Sequence, residues 1–268
     1  QIRNGLHGAG IIVENTKGEA DAGQAEINVH YADALRMADV HVMVKNAVKE
    51  IAFLNDRAIT FLAKWHHDYA GSSSHIHQSL RSADGEAVFF DPAQPHGMSK
   101  MMQGYLAGLL TYADDTTYFL APYVNSYKRF KAGTFAPTKA IWSIDNRTAG
   151  YRVVAENSQN IRVECRVGGS DLNPYLALAS QLAAGLKGIE ENLKLEAEFT
   201  GDAYQADAAR SIPANLRDAT VALDQSKMLR AAMGNKVIDH YVRAARWEQE
   251  DFDGKVTDYE VRRGFERA

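Results

Sequence analysis

Cysteine and long apolar runs are both scarce in this chain of 268 residues. Its single cysteine, Cys165, cannot form an internal disulfide, and a lone thiol among apolar neighbours is more typical of core packing than of a nucleophile. So little cysteine favours a reducing, cytoplasmic setting. Because no apolar run approaches the length of a bilayer span, we expect no membrane association.

An excess of charge of one sign is also absent. Thirty Lys and Arg residues against 34 Asp and Glu residues give a net charge of -4 and a pI near 6.2. Proteins whose main task is to bind nucleic acid are normally strongly basic, so this class is disfavoured. A local cluster of arginines in an acidic chain indicates a small anionic ligand instead.

The chain is long enough for one large domain or two small ones, and no repeat or clear linker divides it. We therefore expect one domain over residues 1–268, with a charged, helical outer layer from about residue 188. Amphipathic spacing predicts a helix from Asp33, its N-cap, to about residue 56. A second helix is predicted over 97–119 with Ser99 as cap, and a third begins at Asn173-Pro174.

The segment 161–167 alternates between apolar and charged residues, as a strand does when only one of its faces is buried. Arg162, Glu164 and Arg166 project to one side of this strand. These charges could simply meet water on the outer face of an antiparallel sheet. More arginines lie upstream, however, at Arg129 and in the Asn146–Arg152 turn. Several guanidiniums around one carboxylate suit a polyanion, with Glu164 as a metal ligand or a charge balancer.

Two further segments carry candidate ligands. Glu19 and Glu26 lie in and beside the loop of a predicted hairpin, where they could converge on a cation or simply be solvated. His75, His77 and Ser79 share one face of a predicted strand, a spacing that suits either a metal site or an anion site.

The sequence Trp65-His66-His67-Asp68 is a separate cluster of possible metal ligands. Adjacent histidines on an extended segment face opposite ways. A polar turn is therefore the favoured interpretation of this cluster.

Six short motifs, in this order and at these spacings, together resemble the catalytic domain of glutamine synthetases. They are Lys17-Gly18-Glu19 with Gly23-Gln24-Ala25-Glu26, the Gly71–Leu80 segment, Asn125-Ser126-Tyr127-Lys128-Arg129, Asn146-Arg147 to Arg152, Arg162-Val163-Glu164-Cys165-Arg166, and Asn173-Pro174-Tyr175. The resemblance covers essentially the whole chain, and within the family it is closest to gamma-glutamylmethylamide synthetases and similar glutamate-amine ligases. The fold that we expect is α+β, with a curved antiparallel sheet, an incomplete barrel, wrapped by helices.

The resemblance implies an ATP-dependent ligase that joins glutamate to ammonia or a small amine through a gamma-glutamyl phosphate. Two divalent metals, Mg²⁺ or Mn²⁺, would be held by Glu19 with Glu26 and by His75 with Glu164. These four ligands are fewer than the six that two metals with three protein ligands each would need.

The remaining site residues implied by the resemblance surround the substrates. Arg129, Arg166 and a backbone contact from Gly71 would hold glutamate. The ATP phosphates would lie among His77, Ser79, Arg147, Arg152 and Arg162, and the nucleoside beside Glu14, Val29, His30 and Tyr31. The residues expected to act in catalysis are Arg129, Arg147 and Arg152.

Two positions depart from the family pattern. Phe135 stands where ammonia-using members usually have a glutamate on a flap over the site. Phenylalanine cannot accept a proton and its ring favours an apolar group, so we expect a small alkylamine rather than ammonia as the acceptor. Ala70 stands where asparagine is common, so the contact to glutamate there must come from the backbone or from elsewhere.

The chain begins at Gln1 without a methionine and reaches a strand-like segment within a few residues, so we expect a fragment whose amino-terminal part is missing. The family's other metal ligands and its small amino-terminal domain would lie there. The fragment should then bind nucleotide without ligase turnover, whereas the parent would be an oligomer of stacked rings. A guanidino-type kinase with an arginine cage and a nucleotide-binding pseudo-enzyme are the alternative functions.

Overall fold

The computed structural model describes residues 1–19, 21–131, 133–134 and 136–267, and it confirms the predicted α+β class. The described residues contain six β-strands and ten α-helices. The strands are β1 (Val13–Gly18), β2 (Ala25–Val29), β3 (Ile76–Gln78), β4 (Trp142–Ile144), β5 (Tyr151–Val154) and β6 (Arg162–Cys165). The helices are α1 (Ile2–Gly8), α2 (Ala34–Phe53), α3 (Lys100–Thr111), α4 (Ala113–Leu120), α5 (Val124–Tyr127), α6 (Pro174–Glu190), α7 (Leu216–Gln225), α8 (Lys227–Met233), α9 (Asn235–Asp253) and α10 (Asp258–Arg267).

The strands form two sheets that do not close into a barrel over the described residues. Strands β1 and β2 make an antiparallel hairpin, and the other four strands form a sheet in the order β3-β6-β5-β4. Its β3–β6 and β5–β6 pairs are antiparallel, as predicted. The β4–β5 pair is parallel, which the sequence pattern did not indicate.

Strand β6 lies inside the four-stranded sheet, and its alternation divides the two faces. Val163 and Cys165 are fully buried against the helices. Glu164 points to the other face, where it is in register with His77 of β3 on one side and Arg152 of β5 on the other. The buried face explains why Cys165 behaves as a core residue, and burial raises the pKa of its thiol to about 12.

Helices α3 and α6 pack closely against each other in the main core. A Cβ atom placed on Gly108 of α3 would lie 2.8 Å from the Cα of Gly188 on α6, so neither position has room for a side chain. Both helices begin at predicted caps. Ser99 accepts a hydrogen bond from the amide of Met102, and Asn173 caps α6 ahead of Pro174.

Helix α2 begins after Asp33, as predicted, and its cap accepts a hydrogen bond from the Arg36 amide. The single helix predicted over 97–119 is instead two helices, α3 and α4. The backbone at Tyr112, with φ of -100° and ψ of 19°, interrupts the helical path between them.

Beyond α6 the chain is helical from Leu216 onward, and residues 191–215 contain one short 3₁₀ turn, Ala203–Gln205. Helices α7 to α9 contribute buried side chains to the main core, whereas α10 has no buried residue. None of the helices in the described ranges is long and apolar enough to cross a membrane.

Candidate active site

Glu164 is the centre of the candidate site and is only 3% exposed. Its Oε1 accepts a hydrogen bond of 2.8 Å from Arg166 Nη1 and lies 3.2 Å from His75 Nδ1. Its Oε2 accepts a hydrogen bond of 3.0 Å from Arg152 Nη1. Three residues predicted from separate motifs therefore meet at one buried carboxylate.

The charges around Glu164 set the protonation of the cluster. Burial alone would raise the pKa of Glu164, but the hydrogen bond from His75 and the nearby charges, including that of Arg166, hold it well below its usual range. Burial lowers the pKa of His75, so its ring is neutral. The carboxylate is thus ionised and accepts a hydrogen bond from the Nδ1–H group of His75.

This protonation leaves His75 Nε2 as an unprotonated nitrogen. Nε2 is buried and has no hydrogen-bond partner among the described residues. A neutral imidazole oriented through its other nitrogen by a carboxylate is the usual form of a histidine metal ligand. His75 and Glu164 therefore fit a divalent cation.

His77 and Arg162 extend the cluster along the sheet. Arg162 Nε donates a hydrogen bond of 3.2 Å to His77 Nδ1, and His77 Nε2 lies 3.6 Å from Glu164 Oε1. Desolvation of the partly buried ring lowers the pKa of His77 to about 4. A neutral His77 can donate through Nε2 to an anion above the sheet. Ser79 follows β3 and is exposed.

Arg152 and Arg147 lie at the edge of the cluster. Arg152 Nε donates a hydrogen bond of 3.0 Å to Asp145 Oδ1, so this guanidinium bridges two carboxylates. Arg147 is exposed, and its backbone carbonyl accepts a hydrogen bond of 3.0 Å from Arg166 Nε. The Arg147 side chain is thus placed at the rim of the site.

Glu19 and Glu26 meet at the loop end of the β1–β2 hairpin. Lys17 Nζ lies 2.9 Å from Glu26 Oε2 and 3.5 Å from Glu19 Oε1. Burial opposes ionisation of Glu26, but hydrogen bonds from Glu19 and Lys17 lower its pKa to about 2. The hydrogen bond with Glu26 raises the pKa of Glu19. The two carboxylates thus approach a single cation, the Lys17 ammonium, and carboxylate oxygens placed in this way also fit a divalent cation.

The hairpin loop is attached to the segment that leads into β3. Gln24 Nε2 donates a hydrogen bond of 3.0 Å to the Gly71 carbonyl, and Asp21 accepts one from the Ala70 amide. The Ala70 amide is thus engaged with Asp21. These bonds connect the Glu19–Glu26 pair to the chain that carries His75 four residues later.

Arg129 lies behind the Gly71 segment and is 1% exposed. Its Nη2 donates a hydrogen bond to the Val167 carbonyl, and burial lowers its pKa to about 10. A Cβ on Gly71 would lie 2.6 Å from the Ala63 carbonyl oxygen and would also overlap the Arg129 side chain. Gly71 is therefore required for close packing on Arg129, whose guanidinium is enclosed by protein.

The residues expected beside the nucleoside lie at the other end of the hairpin. Val29 pairs with Val13, next to Glu14, and the rings of His30 and Tyr31 stack with centroids 4.5 Å apart. Tyr31 is 68% exposed. Since Val29 is three residues from Glu26 on the same strand, the Cα atoms of these two residues are about 10 Å apart.

One predicted site residue lies outside the described part of the chain, and two residues that were not predicted contact the site. Phe135, on which the expected amine preference depends, lies outside the described residues. Asp145 and Gln24 contact site residues but were not predicted to do so. Gln24 lies in the Gly23–Glu26 motif and Asp145 directly precedes the Asn146–Arg152 motif, so a polar side chain next to each motif's charged residues was the available signal.

An open sheet with a buried carboxylate among arginines and imidazoles, in a chain that also carries a second carboxylate pair, is typical of proteins that bind a polyanion together with divalent cations. The chain belongs to the glutamine synthetase family, because the family model described as "Glutamine synthetase, catalytic domain" matches residues 1–264.

Individual relatives agree with this assignment. A gamma-glutamylethanolamide synthetase of Streptomyces coelicolor is 45% identical over 267 residues, covering 100% of this chain and 56% of that protein. A glutamate–isopropylamine ligase of a Pseudomonas species is 37% identical over 265 residues, covering 98% and 58%. The solved structure of a GmaS/ADP complex has a TM-score of 0.90 and 30% identity, covering 99% of this chain and 62% of that one. The chain thus spans less than two thirds of the length of these relatives.

Proposed function

We propose that the protein carrying this chain is an ATP-dependent ligase that forms a gamma-glutamyl amide from glutamate and a small amine or ammonia. The observation that carries this proposal is the convergence of Arg152, Arg166 and His75 on the buried Glu164. Membership of the glutamine synthetase family and the activities named for the two relatives support it.

The proposed reaction has two steps, because a free carboxylate is a poor acylating agent. An oxygen of the glutamate side-chain carboxylate attacks the γ-phosphorus of ATP, and ADP leaves. The amine nitrogen then attacks the acyl carbon, and inorganic phosphate leaves as the amide bond forms. Phosphoryl transfer between two anions depends on positioning and charge neutralisation more than on an acid or a base.

The arginines and His77 supply this neutralisation in the proposal. Arg152 and Arg162 lie on neighbouring strands and present guanidinium donors on the Glu164 face, and Arg147 lies at the rim. Neutral His77 donates to a phosphate oxygen without requiring a proton transfer. Planar guanidiniums bind phosphate oxygens through two parallel donors, which fixes direction as well as charge.

Two divalent cations, Mg²⁺ or Mn²⁺, are the proposed cofactors. Glu19 with Glu26 would hold one, and His75 with Glu164 would hold the other, and when bound they would supply electrostatic stabilisation of the transferred phosphoryl group. The unpartnered His75 Nε2 and the convergence of Glu19 and Glu26 on one Lys17 ammonium support these assignments.

Nucleotide binding is proposed along the β1–β2 hairpin. Glu14, Val29, His30 and Tyr31 would contact the nucleoside, and the phosphates would extend toward Glu26. The exposed, stacked rings of His30 and Tyr31 are suited to contact with a base. The GmaS structure to which this chain is similar was solved as an ADP complex.

Glutamate is proposed to lie near Gly71, Arg129 and Arg166. Arg166 is close to Glu164, and Gly71 allows the backbone to approach Arg129. Because Arg129 is enclosed, its effect on glutamate would be through charge and through the position of the Gly71 segment rather than through an open surface.

A small alkylamine is the proposed acceptor in preference to ammonia. Phe135 stands where a proton-accepting glutamate would assist ammonium, and the relatives are named for ethanolamide and isopropylamine products or substrates. The test is kcat/KM of the whole protein for methylamine, ethanolamine, isopropylamine and ammonium, with ADP release followed in the presence of glutamate and ATP. A preference for ammonium would contradict the acceptor proposal alone. ADP release that does not require glutamate and an amine would contradict the ligase itself.

The alternative functions predict different results in the same assay. A guanidino-type kinase would release ADP with a guanidino substrate and without glutamate, and a pseudo-enzyme would bind nucleotide without turnover. Family membership favours the ligase over both.

We further propose that the whole protein is cytoplasmic and oligomeric. The lone buried Cys165 supports a reducing compartment. Large apolar side chains that are mostly exposed in this chain, such as Phe53 at 80% and Phe265 at 88%, support contacts with further protein surface. Size-exclusion chromatography with light scattering tests the assembly.

A further inference from the structure

The loop between Ala63 and Ser72 carries a group of side chains that the proposed reaction does not use. The sequence of this loop favours a polar turn, because adjacent histidines on an extended strand would face opposite ways. The backbone of this loop is bent rather than extended. As a result, one ligand atom each from His66, His67 and Asp68 lies within 4.8 Å of the other two.

We propose that His66, His67 and Asp68 form a binding site for a divalent transition metal such as Zn²⁺. This proposal does not depend on the ligase function. Two ligand atoms bound to one tetrahedral Zn²⁺ are about 3.4 Å apart, given bond lengths of about 2.0–2.2 Å. His67 Nε2 lies 3.2 Å and His66 Nδ1 lies 3.9 Å from Asp68 Oδ2, so small side-chain rotations bring all three to a common ion.

The loop is held at its base, which lowers the cost of ordering the three ligands. The Ser72 amide donates a hydrogen bond of 2.9 Å to the Ala63 carbonyl, and Lys64 donates through its amide to Asn125 Oδ1 at 3.0 Å. Lys64 Nζ also donates to the Tyr69 carbonyl within the loop. A site built on a closed loop binds more tightly than the same residues on a free one.

Aromatic packing and a backbone hydrogen bond orient His66. Its ring lies 5.5 Å from Trp65 and 4.8 Å from Tyr69, measured between centroids. The Asp68 amide donates to His66 Nδ1 at 3.3 Å, and a metal bound at Nδ1 would replace this long hydrogen bond. The side chains of His67 and Asp68 are well exposed, at 83% and 68%, so an ion reaches them from solvent.

The ligand chemistry selects the class of metal. Two imidazole nitrogens and one carboxylate oxygen suit Zn²⁺, Ni²⁺ and Cu²⁺, whereas Mg²⁺ and Mn²⁺ prefer oxygen ligands. Three protein ligands leave a coordination position for water or for another molecule. This site has one more imidazole than the His75–Glu164 pair and two more than the Glu19–Glu26 pair, so it should favour Zn²⁺ more strongly than either.

The test is Zn²⁺ titration of the metal-free whole protein by isothermal calorimetry in excess Mg²⁺, which competes for the Glu19–Glu26 pair. We expect His66→Ala and His67→Ala each to lower the affinity for one equivalent of Zn²⁺ by more than about tenfold. The matched control is His240→Ala, an exposed histidine on α9, which should bind Zn²⁺ as the unaltered protein does. His75→Ala should also bind this equivalent of Zn²⁺ with unchanged affinity, which distinguishes binding at the loop from binding at the Glu164 cluster.

Fluorescence provides a second measurement of location. Trp65 is 55% exposed and adjoins His66, so bound Cu²⁺ should quench its emission at one equivalent of metal, and His67→Ala should abolish this quenching. The proposal is overturned if the unaltered protein binds no Zn²⁺ in excess Mg²⁺, or if the His66 and His67 variants match the His240 control in stoichiometry and affinity. Because the substituted side chains lie on an exposed loop, circular dichroism should show unchanged secondary structure.

Discussion

At the scale of single residues, we expect substitution of Glu164 to have the largest effect on stability and on ligase activity. It is an ionised carboxylate enclosed by two guanidiniums and an imidazole, so its loss would leave buried positive charge without compensation. Its position also explains why alternation along one strand is insufficient to interpret it. The same pattern would describe a solvated outer face, and only its neighbours on β3 and β5 distinguish the two.

We expect Glu164→Gln to destabilise the fold by about 3 kcal/mol and to lower ligase kcat/KM by at least about 10²-fold. Asp145→Asn is the matched control, since Asp145 also pairs with Arg152 but is 73% exposed, and its cost should be below about 1 kcal/mol. Urea unfolding and the amine-dependent ADP assay measure the two effects. Equal stability of both variants would contradict the charge-compensation argument.

His41 on α2 should make the stability of the fold depend on pH. Burial and the neighbouring Lys45 lower its pKa from 6.5 to about 4, and its Nε2 is buried without a hydrogen-bond partner in the described chain. Between these two pKa values the unfolded chain binds more protons than the folded one, so stability is complete above about pH 6.5 and falls as the pH decreases toward 4.

The decrease in the free energy of unfolding that His41 causes between pH 6.5 and pH 4 should be at most about 3 kcal/mol. His41→Gln should make the free energy of unfolding less dependent on pH over this interval, whereas the exposed His7→Gln should leave the dependence unchanged. Urea unfolding at several pH values between 4 and 7 checks this. An unchanged slope in His41→Gln would show that another group is responsible.

At the scale of elements, the α3–α6 contact depends on the absence of side chains. Gly108→Ala would place a Cβ 2.8 Å from the Gly188 backbone, which cannot move without separating the helices. We expect a loss of about 1–3 kcal/mol in the free energy of unfolding, as for other overpacked cores.

Gly264→Ala on α10 provides the matched control for this prediction. Nothing lies within 4 Å of a Cβ placed there, so the substitution should retain or slightly increase stability through helix propensity. Thermal unfolding of both variants is the measurement. A neutral Gly108→Ala would mean that the two helices separate at little cost.

At the scale of the whole molecule, this chain is shorter than the relatives that it matches. It spans 56% of the ethanolamide synthetase to which it is similar. The proposed assignments give two protein ligands for each metal, whereas three for each would be expected.

Residues 1–268 produced alone should therefore bind ADP in the presence of Mg²⁺ but show no amine-dependent phosphate release. Isothermal calorimetry and a phosphate-release assay measure the two properties, with the whole protein as the active control. Measurable turnover by residues 1–268 would show that their own ligands are sufficient.

Sequence alone determined the features that depend on neighbours in the chain. The caps at Asp33, Ser99 and Asn173 and the alternation of β6 follow from local hydrogen bonding and periodicity, and the structure agrees with them. The α+β class was implied by the family resemblance of the motifs, and the structure agrees with it as well. The break at Tyr112 was missed because both flanking segments have helical spacing, and the parallel β4–β5 pair because pairing direction has no local pattern.

Tertiary structure alone decided which charged groups meet. His75, Arg152 and Glu164 come from three segments that are joined only by strand register, and register between distant strands is set by packing of the whole sheet. The same holds for the enclosure of Arg129 and for the bend that turns His66, His67 and Asp68 toward one another. Residue types and spacing specified the available chemistry, while the folded backbone determined which groups lie within bonding distance.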